Sequence, residues 1–158
     1  MKKIAQFFKV SEKEFLKNGT PRQFANIILP KRATRGSAGY DFFLTDDLCL
    51  DPGQTVKIAT GVRVKIEEGW VLKIYPRSSL GFKYRLTMDN TVGIIDSDYF
   101  NAENEGHIFI KMTNCGQSRL SLTAGTAFAQ GVFNEYGITV DDCCDAERTG
   151  GLGSTDKN

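Results

Sequence analysis

Several things are scarce in this 158-residue chain, and each scarcity removes a class of function. Charge of one sign is scarce: 20 Lys and Arg offset 19 Asp and Glu. So close a balance supplies no field to attract a nucleic-acid polymer or an anionic membrane, yet a few local cations still suffice for a small anionic ligand. Long apolar runs are missing, since no stretch approaches the roughly 20 residues that span a bilayer. The opening MKKIAQFFKVSEKEF begins basic but meets Glu12 and Glu14 before any long apolar core, so it does not read as a signal peptide. The four cysteines, Cys49, Cys115, Cys143 and Cys144, have no CxxC spacing, and the adjacent pair is awkward to join. Reduced thiols in a cytoplasmic protein are the expectation. The sole histidine, His107, falls in a β-rich run with nothing near it that resembles a metal or triad partner, and is expected to be structural.

What is present is a run of short strands punctuated by glycine. In QTVKIATGVRVKI, Val62, Val64 and Ile66 face one way and Arg63 and Lys65 the other. WVLKIY (70–75), HIFIKMTN (107–114), RLSLTAG and TAFAQGVF (126–133) are further β-rich runs. Asp51-Pro52-Gly53, Glu68-Gly69 and Ala124-Gly125 mark turns between them. Strands at this spacing predict an all-β sandwich, barrel or jelly roll of one domain. Ser11 followed by Glu14 is a capping-box pattern for one short helix, which Gly19 could end, and a weaker signal places a second over 78–84. The tail ERTGGLGSTDKN is glycine-rich and polar; composition alone reads it as a disordered terminus.

The run TVGIIDSDYF (91–100) is unusual because an apolar strand stops in two carboxylates and a tyrosine. In extended backbone Asp96 and Asp98 share a face unless the chain turns between them. NAENEG then predicts a hairpin-like return into HIFIKMTN, with the carboxylates at its mouth. In YPRSSLG, Arg77 offers a fork of donors for phosphate or carboxylate, and Ser78 and Ser79 add hydroxyls at a possible helix start. Asp41 in AGYDF and Gln130 in FAQGVF are polar groups among apolar neighbours, and Arg148 adds a cation to the glycine-rich tail. Each of these alone has an ordinary structural explanation.

Taken in order, AGYDF, PRSSLG, DNTVGIIDSDYFN, GTAFAQGVF and RTGGLGST resemble the five motifs of the trimeric dUTPase family, from about residue 29 to 155. The resemblance implies an all-β, jelly-roll-like β-clip barrel with short helical segments, forming a homotrimer. It implies a single β domain over 1–147 and a flexible C-terminal motif, 148–158, closing over an active site shared between subunits. It implies hydrolysis of dUTP to dUMP and pyrophosphate with Mg2+. Asp96 matches the water-activating aspartate, and general-base help of that kind is worth about 10² to 10⁴ in rate. Asp98 matches a less central position. Tyr99 matches the tyrosine packing on deoxyribose, and Asn90, with backbone from there through Gly93, matches the uracil reader. Arg77, Ser78, Ser79 and Gln130 match phosphate contacts. Arg148, Leu152, Gly153 and Ser154, with Thr155, match the closing motif, and Asp41 matches the aspartate near the magnesium's water shell or the second-motif arginine.

Three positions depart from the pattern. Leu152 stands where a phenylalanine stacks on uracil, Ala127 where an arginine precedes the glutamine, and Asp156 where a glycine follows GST. Lys83 and Arg85 are nearby cations that could compensate. These departures motivate an alternative, a nucleotide-binding or regulatory relative without catalysis. A second alternative, dCTP deaminase, shares the fold and an RSSL segment but needs a glutamate where this chain has Lys111.

Overall fold

The computed structural model describes residues 1–146, 148 and 150. Twelve strands and three short helices occur among them, in the order β1 (Ala5–Lys9), α1 (Glu12–Phe15), α2 (Pro21–Ala25), β2 (Lys31–Arg32), β3 (Tyr40–Phe43), β4 (Leu48–Leu50), β5 (Thr55–Ala59), β6 (Val62–Ile66), β7 (Trp70–Pro76), α3 (Ser78–Tyr84), β8 (Leu86–Met88), β9 (Gly93–Ile95), β10 (Phe109–Asn114), β11 (Leu120–Leu122) and β12 (Ala127–Glu135). A 3₁₀ turn, Ser97–Asn101, follows β9.

The alternation in VRVKI places Val62, Val64 and Ile66 in the core, while Lys65 is exposed. β12 organises the largest sheet, whose order is β2-β3-β12-β7-β9. It is antiparallel to β3 on one side and β7 on the other, with a bulge between Ala127 and Ala129. Smaller sheets pair β1 with β6, β11 with β4, and β10 with both β5 and β8. Phe128, Leu72, Ile74, Phe42, Ile110 and Met112 are buried where these sheets face one another. Each such side chain contributes about 1.5–3 kcal/mol by leaving water.

Three expectations change. The return through NAENEG is not a hairpin, because β9 pairs with β7 whereas β10 joins β5 and β8 in another sheet. The segment between them carries the chain from sheet to sheet, a nonlocal choice that turn residues alone do not encode. The capping box at Ser11 is half made. Its hydroxyl accepts from the Glu14 amide at 3.1 Å, but its own amide donates to Glu105 Oε2 at 2.8 Å. The Glu14 carboxylate is instead buried, paired with Lys17 and facing His107. The expectation that His107 lies within a strand also fails. It precedes β10 and is fully buried; Nε2 accepts from the Gly61 amide at 2.9 Å, and Nδ1 lies 3.8 Å from Glu14 Oε1. Burial pushes its imidazole down to about 4, against the opposing pull of Glu14.

Among the elements not foreseen are β1 and α2. β1 adds to β6 and brings Phe7 against Tyr40, Phe42 and Phe133. α2 carries a complete capping box, Thr20 with Gln23, and Pro21 in its first turn.

Candidate functional site

One group of predicted residues gathers where β3, β12 and β7 meet. Gln130 stands between Asp41 on β3 and Tyr75 on β7 in the ladder. Its amide lies 3.4 Å from the Pro76 carbonyl, and its Oε1 sits so close to Gly39 that a Cβ there would come within 2.6 Å. Glycine in AGYDF therefore makes room for Gln130. Arg77, just past β7, places Nε 3.3 Å from Asp41 Oδ1. That contact pairs the arginine with Asp41. Ser78 and Ser79 follow as the first, exposed residues of α3, with their hydroxyls in no hydrogen bond among the described residues. Lys83 and Arg85 stand towards the other end of α3, about 8–10 Å along its axis from Ser78.

A second group forms at the opposite end of β7. Asp96 is one step past the Leu72–Ile95 pair. The chain turns there, as the 3₁₀ turn begins at Ser97. Asp96 and Asp98 converge even so: Arg148 Nη2 lies 2.8 Å from Asp96 Oδ2, and its Nε lies 2.9 Å from Asp98 Oδ1. The same guanidinium stands 5.7 Å from the centre of the Tyr99 ring, within cation–π range. Tyr99 is otherwise core: its hydroxyl donates to the His107 carbonyl at 2.8 Å and accepts from Asn104 Nδ2 at 2.9 Å. Burial raises its phenol pKa, so it remains a neutral donor.

Asn90 and Gly93 lie between the groups. Asn90 is exposed in the turn after β8; Gly93 is buried beside Ile74, whose Cβ would stand 3.2 Å from an added Cβ. Leu152, Gly153, Ser154, Thr155 and Asp156 lie outside the described residues, so the expectations attached to them carry no geometry. Lys111, at the position where the deaminase reading needs a glutamate, is a β10 residue with Nζ 3.1 Å from Asp89 Oδ2.

Asp96 and Arg77 do not meet within one chain. The length of β7 from Val71 to Arg77 is about 20 Å at 3.3 Å per residue, longer than a side chain can close. The single chain thus carries two separate polar groups, one with Arg77, Ser78, Ser79 and Gln130 and one presenting carboxylates beneath an arginine.

This layout is that of a mostly-β protein with two partly exposed clusters of charged and polar side chains. The comparisons narrow the class. A family model described as dUTPase matches residues 25–155. The deoxyuridine 5'-triphosphate nucleotidohydrolase of Lactococcus lactis subsp. lactis (strain IL1403) is 40% identical over 134 residues, covering 83% of this chain and 89% of that protein. The enzyme of the same name from Wolinella succinogenes is 34% identical over 140 residues, 84% of this chain and 89% of its own. Among solved structures, the dUTPase of Streptococcus mutans superposes with a TM-score of 0.67 at 35% identity, covering 84% of this chain and 97% of that one. A dUTPase mutant from phage phi11 of S. aureus, with a structural Mg(II) ion, has the same TM-score at 20% identity and speaks for the fold alone. The chain belongs to the dUTPase family.

Proposed function

We propose that this chain hydrolyses dUTP to dUMP and pyrophosphate, in sites assembled from the half sites of neighbouring copies in a homotrimer. The observation that carries this reading is the 3₁₀ turn after β9. It presents the Asp96 carboxylate, partly exposed, beside Tyr99 and in reach of an arginine from the tail. The distance between the half sites along β7 supports sharing between chains.

Asp96 takes the proton of a water as that water attacks the α-phosphorus; the P–O bond to the leaving pyrophosphate breaks and the electron pair leaves with it. Arg77, Ser78, Ser79 and Gln130, from a neighbouring copy, hold the phosphates and steady the charge that builds on the departing oxygen. Asp41 holds Arg77 in place for this task. The Tyr99 ring packs against the deoxyribose and leaves a 2′-hydroxyl neither space nor a partner. Asn90 and the backbone through Gly93 read the uracil edge, and analogues that leave these groups unpaired are rejected. Arg148, Leu152, Gly153 and Ser154 close over the nucleotide, with Arg148 on the γ end.

Magnesium bound with the triphosphate neutralises phosphate charge. The donor set fits an ion held by phosphate oxygens and waters: the described residues contain no group of three or more His, Cys, Asp or Glu that would cage a metal. Asp41, already engaged by Arg77, would contribute to that ion's site only indirectly, through water.

The deaminase reading loses its proton shuttle at Lys111, which a carboxylate already engages. The reading as a binder without catalysis is separated by assay. Pyrophosphate release from dUTP with magnesium is expected, and Asp96→Asn is expected to keep nucleotide binding while lowering kcat by at least about 10². Binding without turnover in the unmodified protein, or normal turnover in the variant, contradicts the mechanism.

A further inference from the structure

Asp98 has no task in the reaction, yet it makes one of the two contacts that fix Arg148. Both carboxylates are about half exposed, whereas the Arg148 side chain is only 16% exposed. The guanidinium lies between two like charges that would otherwise repel, and over the Tyr99 ring. Chain length does not impose this position. Glu135, the last residue of β12, pairs with Trp70 on β7, so it sits about two strand spacings, roughly 10 Å, from the end of β9. The residues from 136 to 148 reach about 40 Å when extended. The slack would let Arg148 serve a site on a neighbouring copy.

We propose that Asp98 is a positioning residue that, together with Asp96, parks Arg148 on its own chain in the nucleotide-free enzyme, so that the triphosphate must win Arg148 from the two carboxylates. This rests on the reading of Asp96 as base and Arg148 as phosphate clamp. An arginine fork serves carboxylates or phosphates, not both at once with the same N–H groups. While parked, it occupies Asp96 Oδ2, one of the oxygens needed for the water's proton. Arrival of the nucleotide therefore does two things in one exchange: it frees the base and recruits the clamp. Without nucleotide, one oxygen of the carboxylate is engaged by the arginine.

Trypsin cleavage after Arg148 reports the parked state without any turnover, because the protease must take the whole side chain into its own pocket. The fragment lacking residues 149–158 is followed by intact mass in nucleotide-free protein, for the unmodified chain, Asp98→Asn and Asp98→Glu. Cleavage is expected to be at least about threefold faster in Asp98→Asn, the size that a partly exposed ion pair supports, and close to the unmodified rate in Asp98→Glu. A non-hydrolysable dUTP analogue with magnesium is expected to protect all three alike. The KM of Asp98→Asn for dUTP is expected to fall by a similar factor, with a smaller change in kcat. Equal cleavage of nucleotide-free Asp98→Asn and unmodified protein overturns the parking. Faster cleavage with a raised KM overturns the competition, since Asp98 would then serve the bound state. Failure of the functional reading would show separately, as no pyrophosphate release by the unmodified protein.

Discussion

The two ends of β7 are built differently, and the contrast bears on the proposal that neighbouring copies share a site. At the Pro76 end, two of the polar side chains, Gln130 and Asp41, stand on the sheet itself. Gln130 is a ladder residue between two strands, and Asp41 sits in the same ladder and holds Arg77. At the Val71 end, a 3₁₀ turn and an arginine far along the chain do the work, and the contacts are ion pairs at partly exposed carboxylates. A ladder residue stays put when a ligand leaves. An arginine held by exposed carboxylates exchanges, because such pairs are individually worth about a kcal/mol or less. The rigid end suits grip on phosphates; the exchangeable end suits a step that must open and close.

Removing the exchangeable component should have the largest effect. A chain ending before Arg148 is expected to lose turnover by at least about 10², the scale of losing a positioned charge at a developing anion, while its thermal midpoint stays near that of the full chain. Unchanged kcat would show that the tail takes no part, and a collapsed midpoint would show that the tail belongs to the core.

A smaller change sharpens the same end. Leu152→Phe restores an aromatic face for the base, and stacking of this kind is worth about 1 kcal/mol or somewhat more. KM is therefore expected to fall roughly fivefold, by the usual conversion of free energy to affinity. No change in KM would mean that leucine already covers the base.

A last effect, on stability and not on turnover, concerns the support behind Tyr99. His107 is held down to about 4 by burial, from an ordinary 6.5. Between those values the unfolded chain binds a proton that the folded chain does not, so stability rises with pH through that window and is fully present above it. The loss on acidification to pH 4 is expected to reach about 3 kcal/mol at most. Glu105 also lies below its ordinary value, mainly through hydrogen bonds from Ser11, but its contribution fades only under pH 4.5. A thermal midpoint that is flat from pH 7 to 4.5, or an equal slope in His107→Gln, would contradict this assignment.

How much of this could be read beforehand depended on the range of the interactions. The alternation of Val62, Val64 and Ile66 is local and marked β6 directly. Likewise, PRSSLG marked the start of α3. The five motifs together marked the family and nominated Asp96, Arg77, Gln130 and Arg148. Pairing across the sheets was less legible. NAENEG looks like a hairpin return because its residues favour turns, and only the competing partners β5 and β8 send β10 elsewhere. β1 has adjacent Phe7 and Phe8 in place of clean alternation, so its strand nature depends on β6. α2 was legible and missed: Thr20, Pro21 and Gln23 are a start signal in the sequence. The meeting of Arg148 with Asp98 had no local signal, since the partners are far apart in the chain and tied only by charge.

In the proposed enzyme, each working site draws Asp96 from one copy and Arg77 from another. Complementation tests this sharing most directly. Asp96→Asn and Arg77→Ala proteins, each impaired alone, are unfolded together, refolded as a mixture and assayed for pyrophosphate release from dUTP. Activity well above the sum of the two parents refolded separately is expected, because some mixed assemblies hold a site with both residues intact. Activity no greater than that sum, in a mixture shown by native mass spectrometry to contain mixed oligomers, would contradict it.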